Sequence, residues 1–201
     1  MRTITTKTDL YEFHELSEDA QETAINKLHD INVELDWWDF EIDYWKEKLS
    51  DIGFENAEIN FTGFWSQGDG ASFTAEVNLK KIINHFVMCN SIDLKAQEFY
   101  LKKLNNIENW YFNFDFSIIR LSSLYCHKMT CGIDYYQDGS EYWSNIADDL
   151  ASDIEDLRTD LCQEIYKSLE KEYEWLTSKD AIIDTIEVNE YEFTKEGGLY
   201  Y

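Results

Sequence analysis

Between Ile146 and Leu176 one apolar stripe recurs at helical spacing. Ile146, Leu150, Ile154, Leu157, Leu161, Ile165, Leu169, Tyr173 and Leu176 follow one another at steps of three or four residues. A stripe held for nine positions defines one amphipathic helix, predicted over about 142–177, and its apolar side must be covered by other parts of the chain. Leu157 stands near the middle, so a carboxylate placed there is expected to unfold the domain.

The remaining sequence supplies that cover. Ser17 followed by Glu18 and Asp19 is a helix start, with a capping hydroxyl and two acids at the positive end of the dipole; Ala20, Ala24, Ile25 and Leu28 make the apolar face of a helix reaching about Asp30. Trp38, Ile42, Trp45 and Leu49 place a second helix over about 36–52, with Gly53 as its left-handed stop. From Ala57 to Asn78 the period changes to two: Ile59 and Phe61 alternate before a glycine-rich connection, and Phe73, Ala75 and Val77 alternate after it. Helices are predicted over Leu79–Asn90 and Asp93–Asn105, strands over Tyr111–Ile119 and Leu124–Tyr136, a short helix near Ser178–Asn189 and a small hairpin over Tyr191–Tyr200. These elements predict one α+β domain over residues 1–201, an antiparallel sheet of about four strands covered by acidic helices, with one long C-terminal helix.

The chain can build a core of its own: 44% of its 201 residues are hydrophobic and 16% aromatic. Proline is absent, so no X-Pro isomerisation slows folding. No apolar run is long enough to cross a membrane and no targeting segment is recognised, so a cytoplasmic protein is expected. Cys89, Cys126, Cys131 and Cys162 are scattered rather than arranged as a framework, and are expected to be free thiols in a reducing compartment.

Charge narrows the choice of partner. The chain carries 41 acidic and 17 basic residues, a net of −24. Residues 1–60 hold 16 acids and 5 bases and residues 141–201 hold 17 and 5, whereas residues 61–140 are nearly neutral with 8 and 7. Such a field repels phosphate backbones and anionic membranes, so neither direct nucleic-acid binding nor membrane association is expected. A basic protein surface is the partner it attracts. The oligomeric state is left open.

Three segments share a resemblance. Tyr11-Glu12-Phe13-His14-Glu15-Leu16-Ser17-Glu18-Asp19-Ala20, then Gly63-Phe64-Trp65-Ser66-Gln67-Gly68-Asp69-Gly70-Ala71-Ser72-Phe73, and then Asn189 through Tyr200 resemble, in the same order, a group of small acidic proteins of tailed bacteriophages. The resemblance covers about a third of the chain. It implies an infected bacterial cytoplasm and brings with it no activity, catalytic residue or cofactor.

Several clusters invite chemistry. In the glycine-rich connection, Gly68 and Gly70 provide backbone freedom and Asp69 a turn-forming side chain, which explains the turn but not Trp65. Trp65 packs under the long helix, anchors a partner, or belongs to an enzymatic loop. Cys126, His127 and Cys131 have irregular spacing for zinc and would need Cys89 or His85 as a fourth ligand; adjacent residues on a strand face opposite ways, so buried thiols are expected there. Asp134, Asp138 and Glu141, with Asp69 if the two loops meet, could hold a divalent cation, although a solvated turn around residues 137–140 explains them as well. His14, His29, His85 and His127 lack a nucleophile motif, so hydrolysis is not expected. No cofactor is expected either.

The acids of the long helix have an order of their own. Asp149, Asp153, Asp156, Asp160 and Glu164 step by three or four beside the apolar stripe, so they form a second row. Asp149 to Asp160 spans roughly 16 Å, a carboxylate every ~5–6 Å, near the spacing of phosphates on a DNA strand. The plain alternative is a solvated helix face. Two functions of different class follow. One is an acidic binding protein that inhibits a host nucleic-acid-handling defence protein, a restriction nuclease or a CRISPR effector, by mimicry. The other is a small nucleotide-binding or metal-dependent enzyme using the loop from Trp65 to Gly70, with Trp65 stacking a base and Asp69 or Asp138 holding a cation. The enzyme requires a pocket between the two hairpin loops, whereas the inhibitor expects a convex acidic surface without one. An antitoxin-like or assembly partner would use the same acidic surface.

Overall fold

The computed structural model describes residues 1–4, 7–89, 98, 114–122, 125–137 and 141–200, with backbone alone at 141–143. The helix expected over Asp93–Asn105 lies outside the described residues except for Glu98, and Asp138 lies outside them too. The fold is α+β, with a four-stranded antiparallel sheet and one long C-terminal helix. Two compact units divide the chain: Met1–Asp39 with Glu170–Tyr201, and Phe40–Leu169.

The first unit joins the two ends of the chain. Strand β1 (Tyr11–Glu12) leads through a single 3-10 turn into helix α1 (Glu18–Lys27), whose first turn is capped by Ser17 accepting the Ala20 N–H at 3.4 Å. Near the other end, helix α5 (Lys179–Val188) is capped in the same way by Ser178, and strand β6 (Glu192–Phe193) pairs antiparallel with β1. The expected C-terminal hairpin is present as a tight return, with Phe193 bridging to Leu199. Phe13, Leu16, Ala20, Ala24, Ile25, Ile182, Ile186 and Phe193 form the core. Gly197 lies over α1 at φ +74°, where a Cβ would stand 2.1 Å from the Ala20 carbonyl oxygen, so no side chain fits.

In the second unit, helix α2 (Asp39–Ile52) buries Trp45, Leu49 and Ile52 and ends at Gly53, φ +124°, as its spacing predicts. Strands β2 (Phe54–Phe61) and β3 (Ala71–Val77) form the first hairpin; helix α3 (Leu79–Cys89) follows, and β4 (Phe114–Arg120) and β5 (Cys131–Gln137) complete the sheet in the order β2-β3-β4-β5. Phe73 and Ala75 on β3 and Phe114, Phe116 and Ile118 on β4 alternate into the core.

Two local expectations need correction. The strand foreseen from Leu124 begins at Cys131, because residues 127–130 close a turn in which Thr130 N–H and Oγ1–H both donate to the His127 carbonyl, at 2.8 and 2.7 Å. Cys126 and His127 therefore sit in a loop, and the argument from opposite strand faces does not apply to them. The long helix, α4 (Glu141–Leu176), buries Ile146, Leu150, Ile154, Leu161, Ile165 and Leu169, but Leu157 is only half-buried. The fully buried neighbour is Arg158. At about 100° per residue, position 158 lies within about 40° of both Ile154 and Ile165, nearer the middle of the buried face than position 157.

Candidate functional site

Two loops of the second unit meet against α4. The β2–β3 loop, residues 62–70, is held by Thr62 N–H donating to the Gly70 carbonyl at 3.0 Å and by Ser66 N–H donating to Asp69 Oδ2 at 2.7 Å. Its glycines answer to the opposing loop. A Cβ on Gly70 would stand 2.6 Å from the His127 Cβ, and one on Gly68, at φ +96°, would stand 3.3 Å from the Tyr125 ring. Thr62 Oγ1 also reaches the Cys126 carbonyl, at 3.5 Å.

Between these loops and α4 lies a cavity of about 530 Å³ whose walls include Asp69, His127, Lys128, Cys162, Tyr166 and Lys167. The pocket stands where the enzyme reading requires one and where the inhibitor reading expects none. Asp69 lines it with a carboxylate already engaged in its own turn. Trp65 is not among its walls: the side chain is exposed, the backbone sits in the left-handed region at φ +69°, and its ring packs beside Phe64, which in turn meets Tyr166. A bulky residue in that conformation carries about 1–3 kcal/mol of strain.

Behind the cavity is a cluster that sequence reasoning missed. The Arg158 guanidinium, with no exposed surface, donates from Nε to Glu155 Oε2 at 2.9 Å and from Nη2 to Thr159 Oγ1 at 3.0 Å and to Glu155 Oε1. Nη1 donates to the Lys128 carbonyl at 2.6 Å and reaches two sulfurs, Cys131 Sγ at 3.1 Å and Cys162 Sγ at 3.7 Å. Burial opposes the charge of Arg158, but the Glu155 hydrogen bond and the negative charge at the sulfurs and Glu155 hold its pKa above the ordinary value. The two thiols share one negative charge. Hydrogen bonding from Cys162 brings Cys131 down to about 6 against the desolvation cost, with the Arg158 charge and the Phe73 backbone adding to the effect. Cys162 is pushed up by that same bond and by burial, and keeps its proton. The available signal was the lone arginine falling within the apolar face of α4, four residues before Cys162.

The other candidates are dispersed. Asp149, Asp156, Asp160 and Glu164 are exposed along one side of α4, and Asp153 is half-buried. Glu164 pairs with Lys48 at 3.3 Å. The row ends there, because Lys167 and Lys171 continue the same side of the helix. Asp134 is exposed on β5, Asp138 lies outside the described residues, and no side-chain geometry is described for Glu141. Cys126 Sγ accepts from Arg120 at 3.4 Å, and His127 Nδ1 accepts the Met129 N–H at 3.1 Å. Among the described residues, no three or more His, Cys, Asp or Glu side chains are grouped to hold a metal ion. No described helix is long and apolar enough to cross a membrane. The first unit has a cavity of its own, about 660 Å³, walled by Glu12, Glu187, Glu190 and Glu192 with His14.

Residues 37–179 match the family model of DUF8835, a domain of unknown function. The chain belongs to the DUF8835 family. The matched DUF8835 segment contains the whole of the second unit, and with it both loops, the cavity and the buried Arg158 cluster. Much of the first unit, including the opening and closing segments that carry the bacteriophage resemblance, lies outside it. No curated protein and no solved structure matches this DUF8835 chain.

Proposed function

We propose that the protein is an acidic binding protein that inhibits a host nucleic-acid-handling defence protein in an infected bacterial cell by presenting carboxylates where the target expects phosphates. The observation that supports this reading is the exposure of Asp149, Asp156 and Asp160 on one side of a helix whose other side is buried, which holds their spacing rigid. The net charge of −24 adds long-range attraction to a basic channel. Trp65, exposed in a strained backbone, serves as an aromatic anchor. The test is capture from infected-cell extract on immobilised protein. The reading expects a nucleic-acid-handling host protein that is released by added double-stranded DNA; a captured partner that excess DNA does not displace contradicts mimicry.

A second reading is favoured by one specific observation, the cavity between the two loops, which the inhibitor reading does not call for. In it the protein binds a nucleotide there, with Tyr166 as the aromatic wall and Lys128 and Lys167 near the phosphates. Titration calorimetry with adenine and guanine nucleotides, with and without magnesium, tests it. Saturable binding that is lost in Lys128→Ala supports it, and no heat at about 1 mM nucleotide, a concentration typical of weak sites, counts against it.

A further inference from the structure

The walls of the 530 Å³ cavity favour an anion, although the chain as a whole carries a net charge of −24. Lys128 comes from the turn before β5 and Lys167 from α4, and neither is ion-paired with a carboxylate among the described residues. His127 adds a donor. Its Nδ1 accepts the Met129 N–H at 3.1 Å, so the imidazole proton sits on Nε2, and the nitrogen left for a ligand is an N–H. The turn that carries His127 and Lys128 is fixed at both residues. The His127 N–H donates to Thr130 Oγ1 at 3.2 Å, and the Lys128 carbonyl accepts from the buried Arg158 at 2.6 Å.

The amount of negative charge the cavity can take follows from its own groups. Two lysines and one carboxylate, that of Asp69, give the walls a formal charge of +1. A single phosphate ester carries about −1.5 to −2 at neutral pH, which these walls and the His127 N–H nearly balance. Two further phosphates would add charge that nothing in the walls offsets, inside an acidic chain that repels it. Magnesium relieves such an excess when a carboxylate holds it, but Asp69 Oδ2 is tied to the Ser66 N–H at 2.7 Å in its own turn. The rest of the cavity suits a base. The Tyr166 ring is backed by Phe64 with centroids 5.5 Å apart, and Gln163, three residues earlier on α4, offers an amide donor and acceptor to a base edge.

We propose that the cavity is a nucleoside monophosphate site, in which Tyr166 stacks the base and Lys128, Lys167 and the His127 Nε2–H hold the single phosphate without magnesium. The proposal rests on the nucleotide reading of this cavity and narrows it to one ligand class.

The experiment titrates the full chain with the 5′-monophosphates of adenosine, guanosine, cytidine and uridine, with each matching triphosphate in the presence and absence of magnesium, and with inorganic phosphate. At least one monophosphate is expected to bind at a single site, about tenfold or more tighter than its triphosphate, with an affinity that magnesium leaves unchanged. Lys167→Ala, at an exposed position, is expected to weaken that binding about tenfold, the loss of one charge-assisted bond, and Lys167→Arg to keep most of it. His127→Asn keeps an acceptor for the Met129 N–H but lacks the Nε2 donor, and is expected to weaken binding by a similar factor.

A triphosphate that binds as tightly as its monophosphate, with or without magnesium, overturns the monophosphate assignment and leaves the nucleotide reading in place. Failure of every nucleotide to bind removes both. Inorganic phosphate binding as tightly as the monophosphates overturns the proposal by reducing the site to a bare anion pocket, and unchanged affinity in Lys167→Ala overturns it by placing the ligand elsewhere. The ranking of ligands uses the wild-type protein, so a variant that fails to fold leaves that comparison decisive.

Discussion

Gly70 and His127 come so close that a Cβ on the glycine would stand 2.6 Å from the histidine Cβ and 2.9 Å from its Cα. This contact seats the β2–β3 loop against the turn before β5, and it forms the rim of the cavity. Backbone cannot retreat from such an overlap as a flexible side-chain tip would. Gly70→Ala is therefore expected to cost about 1–3 kcal/mol, in the range of overpacked sites. Gly63→Ala, whose new methyl would meet nothing nearer than Asp69 Oδ2 at 3.8 Å, is the matched control and should change stability little. Urea midpoints of the two variants check this, and equal midpoints would mean that the loops are not seated as described.

The stripe on α4 makes a graded prediction. Leu161 is buried and Leu157 is half-buried, so Leu161→Ala should cost about 2–5 kcal/mol and Leu157→Ala clearly less. The expectation that a carboxylate at Leu157 unfolds the domain weakens accordingly, because an aspartate there has a path to solvent. Thermal melts of Leu157→Asp and Leu161→Asp compare the two positions directly, and a larger loss at 157 would reverse the helix phase.

Cys131 and Cys162 predict a pH dependence whose sign is fixed by proton counting. Unfolded, both thiols titrate near 9; folded, the pair gives up one proton at about 6 and retains the other well above the ordinary range. Between about pH 6 and 9 the unfolded state binds more protons than the folded one, so this contribution to stability grows as pH rises. Above 9 the unfolded state has lost both protons while the folded pair keeps one, and the contribution falls again. Denaturation midpoints measured from pH 6 to 10 should show this maximum in the wild type and lose it in the double variant Cys131→Ser/Cys162→Ser. Thiolate absorbance of the folded protein appearing only near pH 9 would contradict the assignment.

Much of the scaffold was legible because it rests on periodicity. Phe73 and Ala75 alternate, as do Phe114, Phe116 and Ile118, while the α4 stripe repeats at three and four; burial follows these patterns except at Leu157, Tyr173 and Leu176 of the stripe, which are half-buried. Ser17 was readable as a helix start through its hydroxyl and Gly53 as a stop through its place after the apolar spacing; the structure shows the Ser17 cap and a φ of +124° at Gly53, and adds the same cap at Ser178. Pairing between β1 and β6 was not legible, because two-residue strands have no period and their partners lie at opposite ends of the chain. The site divides in the same way. Asp149, Asp156 and Asp160 declare themselves by spacing on one element. The cavity depends on Gly70 meeting His127, and the sulfur cluster on Arg158 meeting Cys131 from another element. Such long-range contacts leave no local pattern.

The outward carboxylates of α4 are the centre of the functional account, and the most direct measurement compares wild type with the triple variant Asp149→Lys/Asp156→Lys/Asp160→Lys in capture from infected-cell extract across a salt series. All three side chains are exposed, so the variant should keep its melting temperature. Screening lengths shrink from about 10 Å at 0.1 M salt to about 3 Å at 1 M, and attraction between surface charges falls with them. The account predicts that a nucleic-acid-handling host protein is held by the wild type at low salt, is released as salt rises, and is not held by the folded triple variant. Equal capture by both proteins, unaffected by salt, would contradict it.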